Sequence, residues 1–166
     1  KGKTILVADT NVTELPSAER LINISKSCVR IARLFGFEPK VAFLSHSTFG
    51  KPLSRNTKHV RDAIEKLKKE KVGFDFDGEM QPDVALNPIY QEIYPFSKIV
   101  GNANILIMPA LHSAAISTKL MKVFGGGKLI GPLLIGLGLP IEVAPLRAST
   151  SEILNLASIA AYSSDI

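Results

Sequence analysis

The stretch Ile5-Leu6-Val7-Ala8-Asp9-Thr10, followed by a helical pattern over residues 18–35, decides the fold class of this chain. Its apolar run has the length of a strand, ends on polar residues and leads into a helix. The alternation recurs, with apolar runs at 41–44, 74–76 and 105–108 separated by helical patterns at 57–70, 83–94 and 113–124. It predicts an α/β fold with three layers, α/β/α, around a mostly parallel sheet of about five strands.

Helical periodicity identifies the faces that should be buried. In the first helix, small and apolar residues recur at three-and-four spacing: Ala18, Leu21, Ile22, Ser25, Cys28, Val29 and Ala32. The second helix buries Val60, Ala63, Ile64 and Leu67, with Arg61, Glu65 and Lys68 facing water. A short strand is predicted at 141–143, and the capping-box pattern Ser149-Thr150-Ser151-Glu152 predicts the start of a last helix.

Length and composition favour one domain. With 166 residues and 46% hydrophobic content, we predict a single domain over 1–166 with a C-terminal helical segment at 147–166. The first strand begins almost at once, so we interpret the sequence as a fragment of a longer chain. The single cysteine, Cys28, lies in a helical pattern and is expected in the core, which favours a reducing, cytoplasmic setting. Glycine and proline interrupt the apolar region 129–144, so neither a membrane span nor a signal peptide is predicted.

The net charge of +5 suits a polyanionic partner in principle. The basic residues at 66–71 close a helix, however, where cations complement the helix dipole and are solvated. Stacking aromatics do not alternate with them, so no nucleic-acid partner is predicted.

Polar residues follow the predicted strands at the edge where parallel sheets bind ligands. They are Asp9-Thr10, Ser45-His46-Ser47-Thr48, Asp77-Gly78-Glu79 and the segments 109–113 and 145–149. Hydroxyl and amide groups at helix starts suit the oxygen atoms of phosphate. The alternative is that they cap helices and shape turns, which we favour for Asp9, Thr10 and Ser17.

Catalytic and metal-binding patterns are weak. His46 stands between two serines without a serine-elbow pattern, and a structural histidine is the preferred interpretation. His59 and His112 lack partners at metal-ligand spacing. The acidic residues from Asp75 to Asp83 do not form a calcium loop, so no metal site is predicted.

Four blocks in a fixed order carry a family resemblance: Val7-Ala8-Asp9-Thr10-Asn11-Val12, 39–50, Asp77-Gly78-Glu79-Met80-Gln81-Pro82-Asp83 and 130–137. Together they resemble the second subdomain of phosphate acetyltransferases. The version Ser45-His46-Ser47-Thr48-Phe49-Gly50 is similar to the acetyltransferase-like C-terminal part of bacterial NADP-dependent malic enzymes. The resemblance implies the fold of isocitrate and isopropylmalate dehydrogenases, and in active members acetyl transfer between coenzyme A and phosphate.

The chain departs from the active-site pattern of that family. Pro145 and Leu146 stand where active members have serine and arginine, and Arg147 comes one residue late. Glu152 occupies the acidic position and is the one catalytic candidate if activity remains. The candidate ligand-binding residues all follow predicted strands: Ser45, Ser47, Thr48, Arg147 and Ser149.

We therefore expect a catalytically degenerate domain that senses acetyl-CoA or another acyl-CoA and forms a homodimer. The resemblance implies no cofactor in this domain, whereas the parent chain would use NADP and Mg or Mn to convert malate to pyruvate. Two alternatives remain, a genuine phosphate acetyl- or butyryltransferase and a dimerisation module without a ligand.

Overall fold

In a computed structural model of the protein, the described residues are 3–163, apart from the side chain of Gln91. The chain divides into two compact units at the boundary between Thr118 and Lys119. The sequence predicted one domain over 1–166, and the structure divides that length into two units, each with its own contacts. Residues 164–166 of the predicted C-terminal segment lie outside the described range.

The first unit is built on four strands in the order β1-β4-β2-β3. Their bounds are β1 Leu6–Ala8, β2 Lys40–Leu44, β3 Asp75–Met80 and β4 Ile105–Ile107. All neighbouring pairs are parallel, which confirms the predicted parallel sheet. The predicted strand at 141–143 is wrong, because within the described residues that region makes only an isolated antiparallel bridge between Leu133 and Glu142. Glycine and proline between 131 and 140 prevent a continuous ladder there.

Helices cover both faces of this sheet. The helices of the first unit are α1 Ala18–Leu34, α2 Lys58–Lys69 and α3 Pro82–Leu86, and α4 Leu111–Phe124 begins in it. The second unit contains α5 Thr150–Ser163. One face packs the predicted apolar stripes of α1 and α2 against Val41, Phe43, Ile105 and Ile107. The other face packs Ala42, Leu44, Met80 and Leu106 against residues of α3 and α4. The layers α/β/α are therefore present in the first unit.

The predicted helix at 83–94 is shorter than expected. Proline disfavours helical backbone in the residue before it, and Asn87 precedes Pro88 with φ −122° and ψ 113°. Helix α3 therefore ends at Leu86, and a 3-10 turn follows from Pro88 to Gln91. Ser17 caps α1 as predicted, since its hydroxyl accepts a 3.2 Å hydrogen bond from the Arg20 amide.

Strand β3 contains a bulge that the sequence pattern did not predict. Phe43 pairs with Gly78 and Leu44 pairs with Met80, so Glu79 is an extra residue opposite β2. The bulge turns Met80 to the face of Ala42 and Leu44, whereas Phe76 lies on the opposite face. The predicted strand at 74–76 is consequently too short, and Asp77 and Glu79 belong to the strand rather than to a turn after it.

Cys28 is buried in the core, as predicted. Burial, with a smaller contribution from the charge of Asp9, raises the pKa of its thiol to about 12. The thiol is therefore neutral at physiological pH and behaves as a small apolar side chain.

The second unit exposes many apolar side chains. Large exposed residues include Val123, Phe124, Leu139, Leu146, Ile153 and Leu154. Leu156 of α5 is buried. Within residues 3–163, no helix is both long enough and apolar enough to cross a membrane.

Gly78 gives a direct test of the bulge. Its φ of +143° is unfavourable for other residues, and a Cβ there would lie 2.7 Å from the Phe43 carbonyl oxygen. We expect Gly78→Ala to lower the free energy of unfolding by about 2–3 kcal/mol, measured by urea denaturation. Gly73→Ala is the matched control, since a Cβ at Gly73 meets nothing within 4 Å. Equal stability of the two variants would contradict the bulge geometry.

Candidate functional site

The carboxyl ends of the parallel strands place several polar residues at one edge of the first unit. Asp9 follows β1, Ser45 follows β2, and Pro109 lies just beyond β4. Asp77 was also predicted at this edge, but it pairs with Ala42 in the middle of the sheet. Because β3 continues to Met80, Glu79 occupies the edge position instead.

Glu79 is the centre of a buried polar network. Its side chain is 0% exposed, and its Oε1 atom accepts a 2.7 Å hydrogen bond from the Ser47 hydroxyl. The Arg61 Nη1 atom lies 3.3 Å from the same oxygen. The Ser45 and Ser47 hydroxyl oxygens are 3.0 Å apart, which extends the network to the end of β2. Among the described residues, Glu79 Oε2 has no hydrogen-bond partner.

Arg61 connects this network to the start of α2. Its guanidinium donates to Thr57 Oγ1 at 2.5 Å and to the Ser54 carbonyl at 2.7 Å. The prediction that Arg61 faces water was wrong, because its long side chain reaches back to the buried carboxylate of Glu79. A signal was present in the sequence, since Arg61 lies four residues after Thr57 and three before Ile64, beside the apolar stripe.

The structure brings together three of the predicted ligand residues, Ser45, Ser47 and Thr48. All three are buried, and their side-chain oxygens bind within the protein. Ser45 Oγ accepts from the Ser47 amide at 3.2 Å, and Thr48 Oγ1 accepts from the Gln81 amide at 3.2 Å. These hydroxyls shape the turn after β2, and direct ligand binding by them stays a prediction.

The histidines near this edge differ in their surroundings. His46 is exposed, and its backbone carbonyl accepts a 2.7 Å hydrogen bond from Gln81 Nε2. His59 Nε2 lies 2.9 Å from the Pro109 carbonyl oxygen. Since a carbonyl only accepts, the His59 ring donates and links α2 to the segment after β4. The sequence had assigned His59 no partner at ligand spacing, and a backbone carbonyl partner cannot be recognised from spacing.

Two acidic side chains that the sequence predicted at this edge, Asp9 and Asp77, accept hydrogen bonds from backbone amides. Asp77 accepts from the Gly78 amide at 2.9 Å and from the Lys98 amide at 2.7 Å. Asp9 accepts from the amides of Asn11, Val12 and Thr13, as the turn-shaping interpretation predicted. In the part of the chain from 3 to 163, no three His, Cys, Asp or Glu residues gather where they could hold a metal ion.

The remaining predicted site residues, Arg147, Ser149 and Glu152, belong to the second unit. The Ser149 amide and hydroxyl donate to Glu152 Oε2 at 2.7 and 2.8 Å, and the Glu152 amide donates back to Ser149 Oγ at 3.3 Å. This reciprocal arrangement is the predicted capping box. The hydrogen bonds from Ser149 lower the pKa of Glu152. Arg147 and Leu146 are exposed.

Removing the Arg61 guanidinium should leave the Glu79 charge without its cationic partner. We expect Arg61→Met to cost about 1–3 kcal/mol in the free energy of unfolding, less than for a dry ion pair because Arg61 is 26% exposed. Lys58→Met is the control, since it breaks an exposed ion pair with Asp62 and should cost less than about 0.5 kcal/mol. Chemical denaturation of both variants measures the difference, and equal effects would contradict the role of the buried pair.

Comparison with known proteins identifies the family. Residues 1–161 match the pattern of the family described as Phosphate acetyl/butaryl transferase. The chain is 46% identical to the NADP-dependent malic enzyme of Rhizobium meliloti (strain 1021), covering 98% of this chain and 21% of the relative. It is 33% identical to the phosphate acetyltransferase of Bacillus subtilis (strain 168), covering 93% of this chain and 48% of the relative.

Two solved structures of phosphotransacetylases are similar to this chain. A phosphotransacetylase from Streptococcus pyogenes superposes with a TM-score of 0.92 at 32% identity, over 99% of this chain and 50% of that one. The EutD phosphotransacetylase from Staphylococcus aureus gives 0.88 at 30% identity, over 99% and 52%. The chain thus spans about a fifth of the malic enzyme and about half of the phosphotransacetylases. It belongs to the phosphate acetyl/butyryl transferase family, and resembles the phosphotransacetylase-like C-terminal part of NADP-dependent malic enzymes.

Proposed function

We propose that this chain is the C-terminal part of an NADP-dependent malic enzyme, and that it no longer transfers acetyl groups. In this proposal it binds acetyl-CoA or a similar acyl-CoA as an effector and helps to assemble subunits. The parent enzyme, located in the cytoplasm, oxidatively decarboxylates malate to pyruvate. The relation of the fold to isocitrate and isopropylmalate dehydrogenases is part of the same proposal.

The engagement of Glu152 is the observation that carries this proposal. Acetyl transfer to or from coenzyme A needs a base that takes the thiol proton, and such a base works best with a pKa near the working pH. The Glu152 carboxylate instead caps α5, and the bonds from Ser149 lower its pKa. A lowered pKa makes the Glu152 carboxylate a weaker base.

The residues before the cap support the same conclusion. Pro145 has no side-chain donor, and Leu146 cannot bind phosphate oxygen atoms. Both side chains are exposed, so packing in a core does not account for either residue at its position. The hydroxyl and guanidinium that stabilise a phosphoryl group in active family members are therefore missing at these positions.

Binding of an acyl-CoA without acetyl transfer requires fewer functional groups than catalysis does. Arg147 is an exposed cation whose chemistry suits a phosphate of coenzyme A. Ser149 is exposed as well, but it can donate to a phosphate only by releasing the Glu152 carboxylate. In the first unit, Ser45, Ser47 and Thr48 fix the turn that carries the exposed His46. A bound effector acts on the parent enzyme only if it binds two conformational states with different affinity.

NADP and the divalent metal belong to the part of the parent enzyme that carries out the malate reaction. The donor set of this chain does not fit the metal, since the described residues hold no cluster of three ligating side chains.

A second candidate function is genuine phosphate acetyl- or butyryl transfer. The observation in its favour is the match to the family over residues 1–161, together with 33% identity to a phosphate acetyltransferase. In this alternative, Arg147 takes the place of the missing arginine and Glu152 acts as the base.

An activity assay separates these functions. We expect no formation of acetyl phosphate or butyryl phosphate from the acyl-CoA and phosphate, because one lost transition-state donor typically costs about 100- to 1,000-fold. Glu152→Gln is the informative variant, because glutamine preserves the capping box. Turnover by the wild type that disappears in Glu152→Gln would establish the transferase instead. Calorimetric titration with acetyl-CoA distinguishes an effector site, which gives saturable heat, from a dimerisation module.

Assembly can be tested on the exposed apolar surface of α5. We expect a dimer by light scattering at micromolar concentration, because Leu154 is 61% exposed and would gain from burial in an interface. Leu154→Glu should shift the population to monomer. Leu53→Glu is the control, as Leu53 is a similarly exposed residue in the first unit. A monomeric wild type would contradict this part of the proposal.

A further inference from the structure

A basic groove lies along α1 in the first unit, and neither the family match nor the proposed function assigns it a role. Its volume is about 510 Å³, within the range of small-molecule sites. The lining residues that matter here are Lys26, Ser27, Val29, Arg30, Arg33 and Phe74.

The groove is separate from the carboxyl edge of the sheet. Phe74 directly precedes Asp75, the first residue of β3, so it lies at the amino end of that strand. Arg33 is in the last turn of α1, which returns the chain from the carboxyl end of β1 towards the start of β2. The groove therefore opens at the opposite side from Ser47 and Glu79.

Three cations line one stripe of α1. Lys26, Arg30 and Arg33 are spaced at i, i+4 and i+7, which places them on the same face of the helix. Arg33 is anchored by a hydrogen bond from its guanidinium to the Gly73 carbonyl. Arg30 Nη2 donates to Ser27 Oγ at 3.3 Å. Anchored side chains lose less conformational entropy when a ligand binds.

Among the described residues, one carboxylate forms an ion pair with this stripe. Glu70 forms an ion pair with Lys26 at the Nζ and Oε2 atoms, with both side chains partly exposed. Three cations against one carboxylate leave an excess of positive charge, so the groove favours an anion. Glu70 competes with that anion for Lys26.

The dimensions of the stripe indicate the kind of anion. Lys26 and Arg33 are seven residues apart, which is about 10 Å along a helix. A single phosphate is too small to contact both ends, whereas a diphosphate can bridge neighbouring cations, and guanidinium groups match phosphate oxygens in geometry.

The other wall of the groove is apolar. Val29 is buried and Phe74 is half-buried, with the Phe74 ring centroid 5.9 Å from that of Phe76. An aromatic ring beside anchored arginines suits a planar heterocycle. We propose that this groove is a binding site for a nucleoside diphosphate, with the diphosphate along Lys26, Arg30 and Arg33 and the base against Phe74.

Calorimetric titration of the purified chain with ADP at low ionic strength tests the site, with pyrophosphate and adenosine as separate probes. We expect saturable 1:1 binding of ADP, weaker binding of pyrophosphate, and none detectable for adenosine. Arg30→Gln and Arg33→Gln should each weaken ADP binding about fivefold or more, from the loss of a charge-assisted hydrogen bond. Phe74→Leu should weaken ADP but not pyrophosphate.

Two pairs of variants control for net charge. Lys68→Gln removes one positive charge from α2 at the ion pair with Glu65 and should leave ADP affinity within about twofold. Glu70→Gln should tighten ADP binding because it frees Lys26, whereas Glu65→Gln should not. Thermal unfolding of each variant confirms that it is folded.

The proposal is overturned if ADP gives no saturable heat, if Lys68→Gln weakens binding as much as Arg30→Gln, or if Glu65→Gln tightens it as much as Glu70→Gln. Failure here leaves the acyl-CoA proposal untouched, since the two sites share none of the residues named for them. Because coenzyme A itself contains an ADP moiety, acetyl-CoA binding that persists in Arg30→Gln belongs to the acyl-CoA site rather than to this groove.

Discussion

The buried carboxylate of Glu79 constrains the carboxyl edge of the sheet. A charge without access to water is costly unless it is paired and hydrogen-bonded. Ser47 and Arg61 meet this requirement at Oε1, whereas Oε2 has no hydrogen-bond partner among the described residues. Arg61 also holds the carbonyl of Ser54, so the network ties the turn after β2 to the segment that begins α2. The bulge in β3 makes this possible, since it inserts Glu79 as an extra residue at the end of the strand. The geometry at the carboxyl edge of the sheet therefore depends on the ion pair between Arg61 and Glu79 as well as on the backbone hydrogen bonds between the strands.

Periodic features of the fold were predictable from the sequence, and those set by distant contacts were not. The burial of Leu21 and Leu67 followed from helical spacing, because each helix has one apolar face that must pack on the sheet. The bulge was missed because it breaks the alternation that identifies strands. The sequence pattern predicted that the Arg61 side chain faces water, because its partner Glu79 lies 18 residues away in the chain. The end of α3 before Pro88 could have been read from the local rule for residues that precede proline, which the apolar pattern of 83–94 obscured.

The candidate site shows a similar division. Sequence blocks located Ser45, Ser47 and Thr48 together at a strand end, and the structure places them there. Blocks of sequence carry no information about which way a hydroxyl donates, and the Ser47 hydroxyl turns inward because the Glu79 carboxylate is there to accept. The capping box at Ser149 and Glu152 was predictable because both partners lie within one helical turn. Local chemistry is visible in the sequence, whereas the direction of long-range hydrogen bonds requires the fold.

The inward direction of the Ser47 hydroxyl has a consequence for how this edge can change in evolution. Side chains that support the turn are separated from those that meet the solvent, because Ser45, Ser47 and Thr48 are buried while the adjacent His46 and Lys51 are exposed. Exchange of His46 or Lys51 leaves the supporting hydrogen bonds in place, so the chemistry offered to a ligand can vary at small cost in stability. Proteins with the same buried support can thus diverge in what they recognise while their backbone stays the same.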